Sequence, residues 1–304
     1  MGAHTSASSS PDLPAALGTL HFDEIVVPLI RADINDRGLD TAAIIATKLD
    51  LPVRIVNVHI APGHPTAGDA SNDAEMASAA MLETVRDEFA RHHPDLTLTT
   101  QLVVGFDVAR GVAGTIRPTS LLVIATNHAG AEDGAFSVAE TLARERDGVL
   151  LMVGPNARAR ATSGPVVVAQ DGSAAALESV VGAVALHDAW DGPLWLVHVV
   201  DDAAAEKADQ LRAVGYAIQE SAFVRDIADE LTDAGHRAGW AIVGDDDPAA
   251  AVVRFAEQHG ASLIAATTRG IGNAGGRVFG STCMRIVHNS PVPVAVMGAG
   301  PAHS

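Results

Sequence analysis

The sequence predicts an α/β protein with two tandem doubly wound domains, each built on a five-stranded parallel sheet flanked by helices. Three observations support this fold class. The chain has 304 residues, enough for two domains of roughly 150 residues. Short apolar, β-branched segments alternate with segments of helical periodicity, which is typical of parallel sheets covered on both faces. These segments recur at an offset of about 140 residues, as two copies of one fold would.

Four pairs of apolar segments form the repeat. They are residues 24–29 with 164–170, 53–60 with 194–200, 120–126 with 262–267, and 149–153 with 294–297. The dipeptide Val58–His59 matches Val197–His198, so we expect His59 and His198 at equivalent positions. A segment rich in Gly, Pro and Ser separates the copies and predicts a linker. The predicted organisation is a flexible tail (1–20), a first domain (21–154), a linker (155–164), a second domain (165–298) and a tail (299–304).

The second copy has the clearer pattern of elements. Strands are predicted over residues 166–170, 194–200, 240–243, 263–267 and 293–297. Helices are predicted over residues 174–186, around Leu211, Val214 and Ile218, from Pro248 to Gly260, and from Ser281 onwards. Asp247 suits the N-cap of the third helix, because Pro248 lacks an amide hydrogen and is favoured at the first helical position. Gly260 is a typical helix terminator.

Composition excludes several classes of function. Hydrophobic residues make up 48% of the chain and charged residues 19%, so it can bury substantial cores. The net charge of −17 argues against nucleic acid or an anionic membrane as a partner. The single cysteine, Cys283, excludes an internal disulfide and a multi-cysteine metal site, and fits a cytoplasmic location. Residues 1–20 lack the basic and apolar regions of a signal peptide, and no apolar run approaches the roughly 18 residues of a membrane span.

Ligands of doubly wound sheets bind beyond the carboxyl ends of the strands. In the second copy, the first strand ends in Asp171-Gly172-Ser173, and the fourth ends at Thr267. Asp171 would accept hydrogen bonds from a sugar or an amine, or contact a metal. The same three residues also suit an ordinary turn and helix start, so the residues alone leave both interpretations open.

A Gly-rich segment follows Thr267 and leads to Gly280, Ser281 and Thr282 at the start of the last helix. Glycines let backbone amides approach a phosphate, and the helix N-terminus adds the positive end of its dipole. Ser281 and Thr282 would donate hydroxyls, while Arg269 would offset phosphate charge. The segment is neither a Walker A motif nor a dinucleotide-binding GxGxxG in the usual first turn.

The second copy resembles the universal stress protein family, whose fold is Rossmann-like. The family carries a Gly, two residues, a Gly, nine residues and Gly-Ser/Thr, then a helix and a Pro-Val strand. Residues 267–270, the nine residues 271–279, Gly280–Ser281 and residues 290–294 reproduce this frame. Asp171 and Val199 match the ends of the family's first and second strands. The resemblance covers about 135 residues.

The resemblance implies an ATP site, with Mg as an accompanying ion. In ATP-binding members, residues at the positions of Asp171 and Val199 contact the nucleoside. The residues that cradle the phosphates correspond to Gly270, Gly280, Ser281 and Thr282. Two positions depart from the family pattern. Thr267 stands in place of the first motif glycine, where we expect its β-branched side chain to crowd the nucleotide, and Arg269 replaces the usual His while keeping a positive charge.

The first copy keeps the repeat but lacks the site residues. Ile30, Ala129, Ala139 and Glu140 stand at the positions of Asp171, Gly270, Gly280 and Ser281. A carboxylate at a helix N-terminus occupies the place of a phosphate and repels it. We therefore expect no nucleotide in the first domain.

The resemblance implies a cytoplasmic stress-response regulator that binds an adenine nucleotide in its second domain and uses the first as a scaffold. Catalysis is not required. Two alternatives stay open: a nucleotide-free interaction module, and a slow, metal-dependent nucleotide hydrolase. Family members pair through their last strand, so we expect either a homodimer or pairing of the two domains within one chain, through residues 149–153 and 293–297.

Overall fold

The computed structural model describes most of the chain. It covers residues 20–29, 37–60, 68–126, 138–145, 148–158, 163–187, 189–190, 192–201, 222–268 and 280–298, together with Leu13 and Leu17. The helix predicted around Leu211, Val214 and Ile218 lies outside these residues, as does the C-terminal tail.

Strands and helices alternate through both halves of the described chain. The first half contains β1 (Glu24–Pro28), α1 (Arg37–Leu49), β2 (Val53–Ile60), α2 (Gly68–His92), β3 (Leu98–Gly105), α3 (Val108–Ala113), β4 (Ser120–Ala125), α4 (Val138–Glu145) and β5 (Gly148–Val153). The second half contains β6 (Val166–Gln170), α5 (Ala174–His187), β7 (Leu194–Val200), α6 (Ala222–Asp233), β8 (Ala238–Gly244), α7 (Pro248–Gln258), β9 (Leu263–Thr267), α8 (Ser281–Asn289) and β10 (Val294–Gly298).

All ten strands form one sheet, in the order β3-β2-β1-β4-β5-β10-β9-β6-β7-β8. Within each half the five strands are parallel and follow the same doubly wound order. This confirms the predicted fold class. The halves join where β5 and β10 pair antiparallel, with Leu151 opposite Ala295. Of the two predicted modes of pairing, the structure contains the one within the chain.

The helices cover both faces of the sheet and enclose two cores. Helices α1, α2, α5 and α6 pack on one face, and α3, α4, α7 and α8 pack on the other. The central strands are apolar on both sides, so every residue of β1 is buried, as are most residues of β4 and β9. None of the described helices is long and apolar enough to cross a membrane.

The strand register corrects the equivalence of the two histidines. His198 lies opposite Gln170 in the β6–β7 pair, and its Nδ1 is 2.9 Å from the carbonyl oxygen of Gln170. In the first half Asn57 takes this place, because its Nδ2 donates to the carbonyl oxygen of Leu29 at 2.7 Å. The prediction that His59 corresponds to His198 is therefore wrong. His59 lies two residues beyond Asn57, the structural counterpart of His198.

Residues at the start of the predicted linker pack against both halves of the chain. We call Gly154–Arg158 the connecting segment. The side chain of Asn156 donates to the carbonyl oxygen of His288 at 3.0 Å, and the Arg158 amide donates to that of Pro291 at 3.1 Å. Arg37, at the start of α1, donates to the carbonyl oxygen of Pro155 at 2.7 Å. The segment thus connects the C-terminal end of α8 to the first half.

Candidate functional site

The candidate site lies at the carboxyl ends of the second-half strands, on the face covered by α7 and α8. Side chains alternate between the faces of a strand. Asp171 follows Val167 and Ala169 in this alternation, and Val199 follows Val197; these apolar residues belong to the core beneath α7 and α8. The structure therefore places Asp171 and Val199, both half-buried, on the same face of adjacent strands.

Asp171 takes part in the turn that starts α5. Its Oδ1 accepts a hydrogen bond from the Ser173 amide at 2.9 Å, while Gly172 adopts a positive φ of 81°. The hydroxyl oxygen of Ser173 accepts from the amide of Ala176 at 3.1 Å, which satisfies one of the orphan donors of the helix. The turn predicted for these residues is present, and it holds the carboxylate at the strand end.

The side chain of Thr267 lies on the opposite face of the sheet from Asp171 and Val199. It is in phase with Leu263 and Ala265, which belong to the core beneath α5. The next residue, Thr268, is buried, and its amide donates to the carbonyl oxygen of Met297 at 3.1 Å. Thr267 therefore directs its branched side chain away from the face of the candidate site, and the expected crowding of a nucleotide is not supported by this alternation.

Helix α8 begins beside the end of β9, and its N-terminus has no side-chain cap. Gly280 is its N-cap, and the amide of Gly280 donates to the carbonyl oxygen of Thr268 at 2.8 Å. A Cβ atom at Gly280 would lie 3.2 Å from that oxygen, so the close approach favours glycine. Ser281 and Thr282 are exposed. By contrast, α3 and α7 are capped by the side chains of Asp107 and Asp247.

An uncapped helix start offers amide donors and a partial positive charge to an anion. The remaining predicted site residues, Arg269 and Gly270, lie outside the described residues. Within the described part of the chain, no group of three or more His, Cys, Asp or Glu side chains could hold a metal ion.

Ion pairs join α8 to the segment after β8. Arg285 of α8 contacts Asp247, the N-cap of α7, and Arg254 contacts Asp245. Hydrogen bonds from Arg285 and from the amide of Ala250 lower the pKa of Asp247, and those from Arg254 and the amide of Asp247 lower the pKa of Asp245. Both aspartates thus stay ionised near the site, and both arginines are already engaged by carboxylates.

Cys283, in the first turn of α8, lies where its thiolate form is disfavoured. It is buried, and burial raises the pKa of its thiol to about 12. A thiol with this pKa stays protonated, and the thiolate is the reactive form.

The equivalent helix of the first half differs in its start. Helix α4 begins at Val138, so Glu140 is its third residue, whereas Ser281 is the first residue of α8. The alignment of Glu140 with Ser281 is therefore shifted in the structure, but the carboxylate still lies in the first turn of the helix. Ala139 is buried. Ile30 and Ala129 lie outside the described residues.

A cluster of polar and aromatic side chains lies on the other face of the sheet, and it was not predicted from the sequence. Gln170 is 4% exposed, and its Nε2 donates to the carbonyl oxygen of Ala176 and to the hydroxyl of Ser179. His198 bonds the carbonyl of Gln170 and stacks edge-on against Phe223, with ring centroids 4.9 Å apart. Phe223 lies on α6, and no spacing in the sequence indicated this contact. The group anchors α5 and α6 at the strand ends that carry Asp171 and Val199.

The fold and the position of the site define a doubly wound α/β protein with its candidate site at the carboxyl ends of the second-half strands. Residues 163–298 match the model of the universal stress protein family. The resemblance identified from the sequence is thereby confirmed. No curated protein matches the chain.

Solved structures match nearly the whole chain. A universal stress protein from Archaeoglobus fulgidus DSM 4304 superposes with a TM-score of 0.70 at 17% identity, covering 91% of this chain and 99% of that one. A functionally unknown protein from Pseudomonas aeruginosa PAO1 superposes with a TM-score of 0.57 at 15% identity, covering 91% of this chain and 92% of that one. At these identities the likeness concerns the fold, which extends across both halves.

Proposed function

We propose that the second half binds ATP at the carboxyl ends of its strands, and that the chain is a cytoplasmic stress-response regulator with a non-binding first half. The observation that carries this proposal is the N-terminus of α8. It begins at a glycine with no side-chain cap, beside a strand end, on the face that bears Asp171 and Val199. Helix starts of this kind are favourable for phosphate groups.

The residues divide into two groups in this proposal. Asp171 and Val199 contact the nucleoside, and the amides and hydroxyls at the start of α8 hold the phosphates, with Arg269 and the backbone of Thr267 at the flank. The residues that hold the phosphates are Gly270, Gly280, Ser281 and Thr282. A magnesium ion would be bound mainly through the phosphates. The first half, with Glu140 in the first turn of α4, repels a phosphate at the equivalent place.

ATP acts in this proposal by ligand linkage and not by turnover. Binding to the folded state stabilises it, by about 2.7 kcal/mol at a ligand concentration 100 times the dissociation constant. The stabilised strand ends and helix α8 then alter the surface that partner proteins contact.

The test is calorimetric titration of the full chain with Mg-ATP, using Ser281→Glu as the main variant. This substitution gives α8 the first-turn carboxylate that α4 already has. It is compatible with the helix dipole and leaves the fold intact, while repelling phosphate. We expect the wild-type chain to bind and the variant to lose roughly tenfold or more in affinity. Glu140→Gln is the matched control in the first half, and it should leave the affinity unchanged.

Two results would contradict the proposal. One is the absence of heat and of a thermal shift with millimolar ATP, which would favour a nucleotide-free interaction module. The other is equal ATP affinity in Ser281→Glu and the wild-type chain, which would move the site away from α8. Steady phosphate release that Asp171→Ala abolishes would instead identify a hydrolase.

A further inference from the structure

The described part of the chain exposes four large hydrophobic residues, all in the first half. Their exposed fractions are 81% for Phe106, 70% for Met76, 49% for Val104 and 46% for Ile60. Val104 lies at the carboxyl end of β3 and is in phase with Leu98 and Leu102, on the face covered by α2, and Phe106 follows β3 directly. Ile60, at the end of the adjacent strand β2, is in phase with Val56 and Val58 and therefore lies on the opposite face, which α3 covers. Met76 lies near the start of α2, the helix that packs on these two strands. We call these four residues the apolar edge group.

The second half shows that the fold does not require these apolar residues. Val53 pairs with Leu98 in the first half, and the equivalent pair in the second half is Leu194 with Ala238. Counting from these pairs, the counterparts of Ile60, Val104 and Phe106 are Asp201, Gly244 and Asp246. The next residues, Asp107 and Asp247, are the N-caps of α3 and α7, which confirms the alignment.

The apolar edge group adjoins an edge of the sheet that is unpaired among the described strands. Strand β3 is the first strand of the sheet and has β2 as its sole neighbour among the described strands. Its sequence, LTTQLVVG, contains no charged residue and no proline. Natural edge strands are usually protected by such residues, so an unprotected edge of this length is suited to pair with another strand.

The charges around the apolar edge group define the chemistry of a partner. Asp73 is exposed and Glu75 half-buried on either side of Met76, and Asp107 and Arg110, both exposed, follow Phe106. The chain as a whole carries a net charge of −17. A second copy would bring the same acidic residues together across the contact, which is unfavourable. A partner with basic residues complements them.

We propose that the edge of β3, with Phe106 and Val104, docks an extended segment of a partner protein in which apolar residues alternate with basic ones. The segment adds a strand to the sheet through main-chain hydrogen bonds. Its apolar side chains lie on the face that bears Val104 and Phe106, and its basic side chains lie on the other face, where Asp107 caps α3. The site is distinct from the nucleotide site and does not depend on it.

The probe is a fluorescent ten-residue peptide of alternating valine and lysine, titrated into the full chain and followed by anisotropy. Phe106→Asp introduces the residue found at the equivalent position of the second half. We expect it to weaken binding roughly tenfold or more, although it adds an attractive charge for the peptide. Gln258→Glu, an exposed residue on α7, adds the same charge elsewhere and should not weaken binding. Thermal melts of both variants report whether they fold.

A second peptide, N-methylated at every backbone amide, separates strand addition from simple charge attraction. It keeps the side chains but cannot complete the main-chain ladder, so it should bind at least roughly tenfold more weakly. Equal binding of the two peptides, or of Phe106→Asp and the wild-type chain, would overturn the proposal. Self-association in sedimentation experiments that Phe106→Asp abolishes would assign the edge to a second copy and overturn it as well.

Discussion

Glu24, at the start of β1, is a buried carboxylate whose pKa is lowered by its hydrogen-bond donors. It is 5% exposed and receives hydrogen bonds from Arg54 at 2.7 and 3.1 Å and from the hydroxyl of Ser120, with Arg117 at 3.0 Å. Burial by itself raises the pKa of Glu24. The hydrogen bonds from Arg54, Ser120 and Arg117 outweigh that effect and lower the pKa from 4.5 to about 2. The ionised carboxylate therefore stabilises the folded state.

This pKa predicts a specific dependence of stability on pH. A carboxylate whose folded-state pKa lies below its unfolded value stabilises the fold above the unfolded pKa, and this stability is lost as pH falls through the folded pKa. For a pKa lowered from 4.5 to about 2, the contribution at pH 7 is about 3 kcal/mol, of which about 2 kcal/mol is lost by pH 3.

The test compares urea unfolding of the wild-type chain and Glu24→Gln at pH 7 and pH 3. We expect the variant to be less stable at pH 7 by about 3 kcal/mol, because it leaves Arg54 without its buried partner. The difference between the two proteins should shrink at pH 3. A difference that is constant with pH would show that the carboxylate contributes through packing and not through its charge.

The second half fills the equivalent place with aromatic rings. Trp195 lies in the register position of Arg54, and its ring centroid is 5.8 Å from Phe255 and 5.7 Å from His259. Ser262 is equivalent to Ser120, and its hydroxyl accepts from the amide of Gly164 at 2.7 Å. The same backbone position thus tolerates a buried ion network in one half and an aromatic cluster in the other. Packed apolar groups of similar volume can replace buried ion pairs without loss of stability.

At the scale of elements, the buried strands were the best predicted. Strands β2, β6, β7 and β9 have the bounds that their apolar runs predicted, because strands covered on both faces need apolar residues throughout. Strand β3 was not singled out. It lies at the sheet edge and is half-buried, and its residues Thr99, Thr100 and Gln101 interrupt any apolar run.

The candidate site was predictable in its place but not in its geometry. The strand ends at Asp171 and Thr267 and the start of α8 at Ser281 follow from local sequence signals. The face on which each side chain lies depends on register and helix packing, which involve residues far apart in the sequence. For this reason three features could be seen only in the structure. They are the sheet face on which Thr267 lies, the ion pair between Asp247 and Arg285, and the equivalence of His198 with Asn57.

The connecting segment is also an element whose role the sequence does not reveal. Its Gly and Pro residues predict a linker, yet Ala157 within it is 1% exposed. A Cβ atom at Gly154 would lie 2.0 Å from the carbonyl oxygen of Val287 on α8, so the segment lies directly on the last turn of that helix. Only glycine permits this approach.

Gly154→Ala therefore should destabilise the chain, by about 1–3 kcal/mol, because the segment or α8 must shift to accommodate one methyl group. Chemical unfolding measures this change. Gly105→Ala is the control, since a Cβ atom there would meet its nearest neighbour, a methyl group of Val58, at an ordinary 3.9 Å. Equal stability of both variants would mean that the segment is not held against α8 in solution.

At the scale of the whole molecule, the two halves are related by an approximate two-fold axis through the β5–β10 pair. Leu150 pairs with Leu122, and Val294 pairs with Ile264 in the same way, so Leu151 and Ala295 are equivalent residues. They lie opposite each other, and both are fully buried. An interface in which equivalent residues meet is that of a symmetric dimer. Here it forms within one chain and covers the last strand of each half.

This arrangement predicts that the chain does not dimerise through its last strands, because both are already paired. Size-exclusion chromatography with light scattering should give the mass of one chain.

Ala295→Glu places an unpaired carboxylate at the centre of the buried pair, where it should destabilise the fold by about 3 kcal/mol or more and expose the edges of β5 and β10. We expect the variant to self-associate and to melt earlier. Thr99→Glu, on the exposed side of the edge strand β3, should change neither property. A stable wild-type dimer that Ala295→Glu dissociates into folded monomers would show instead that the last strands pair between chains.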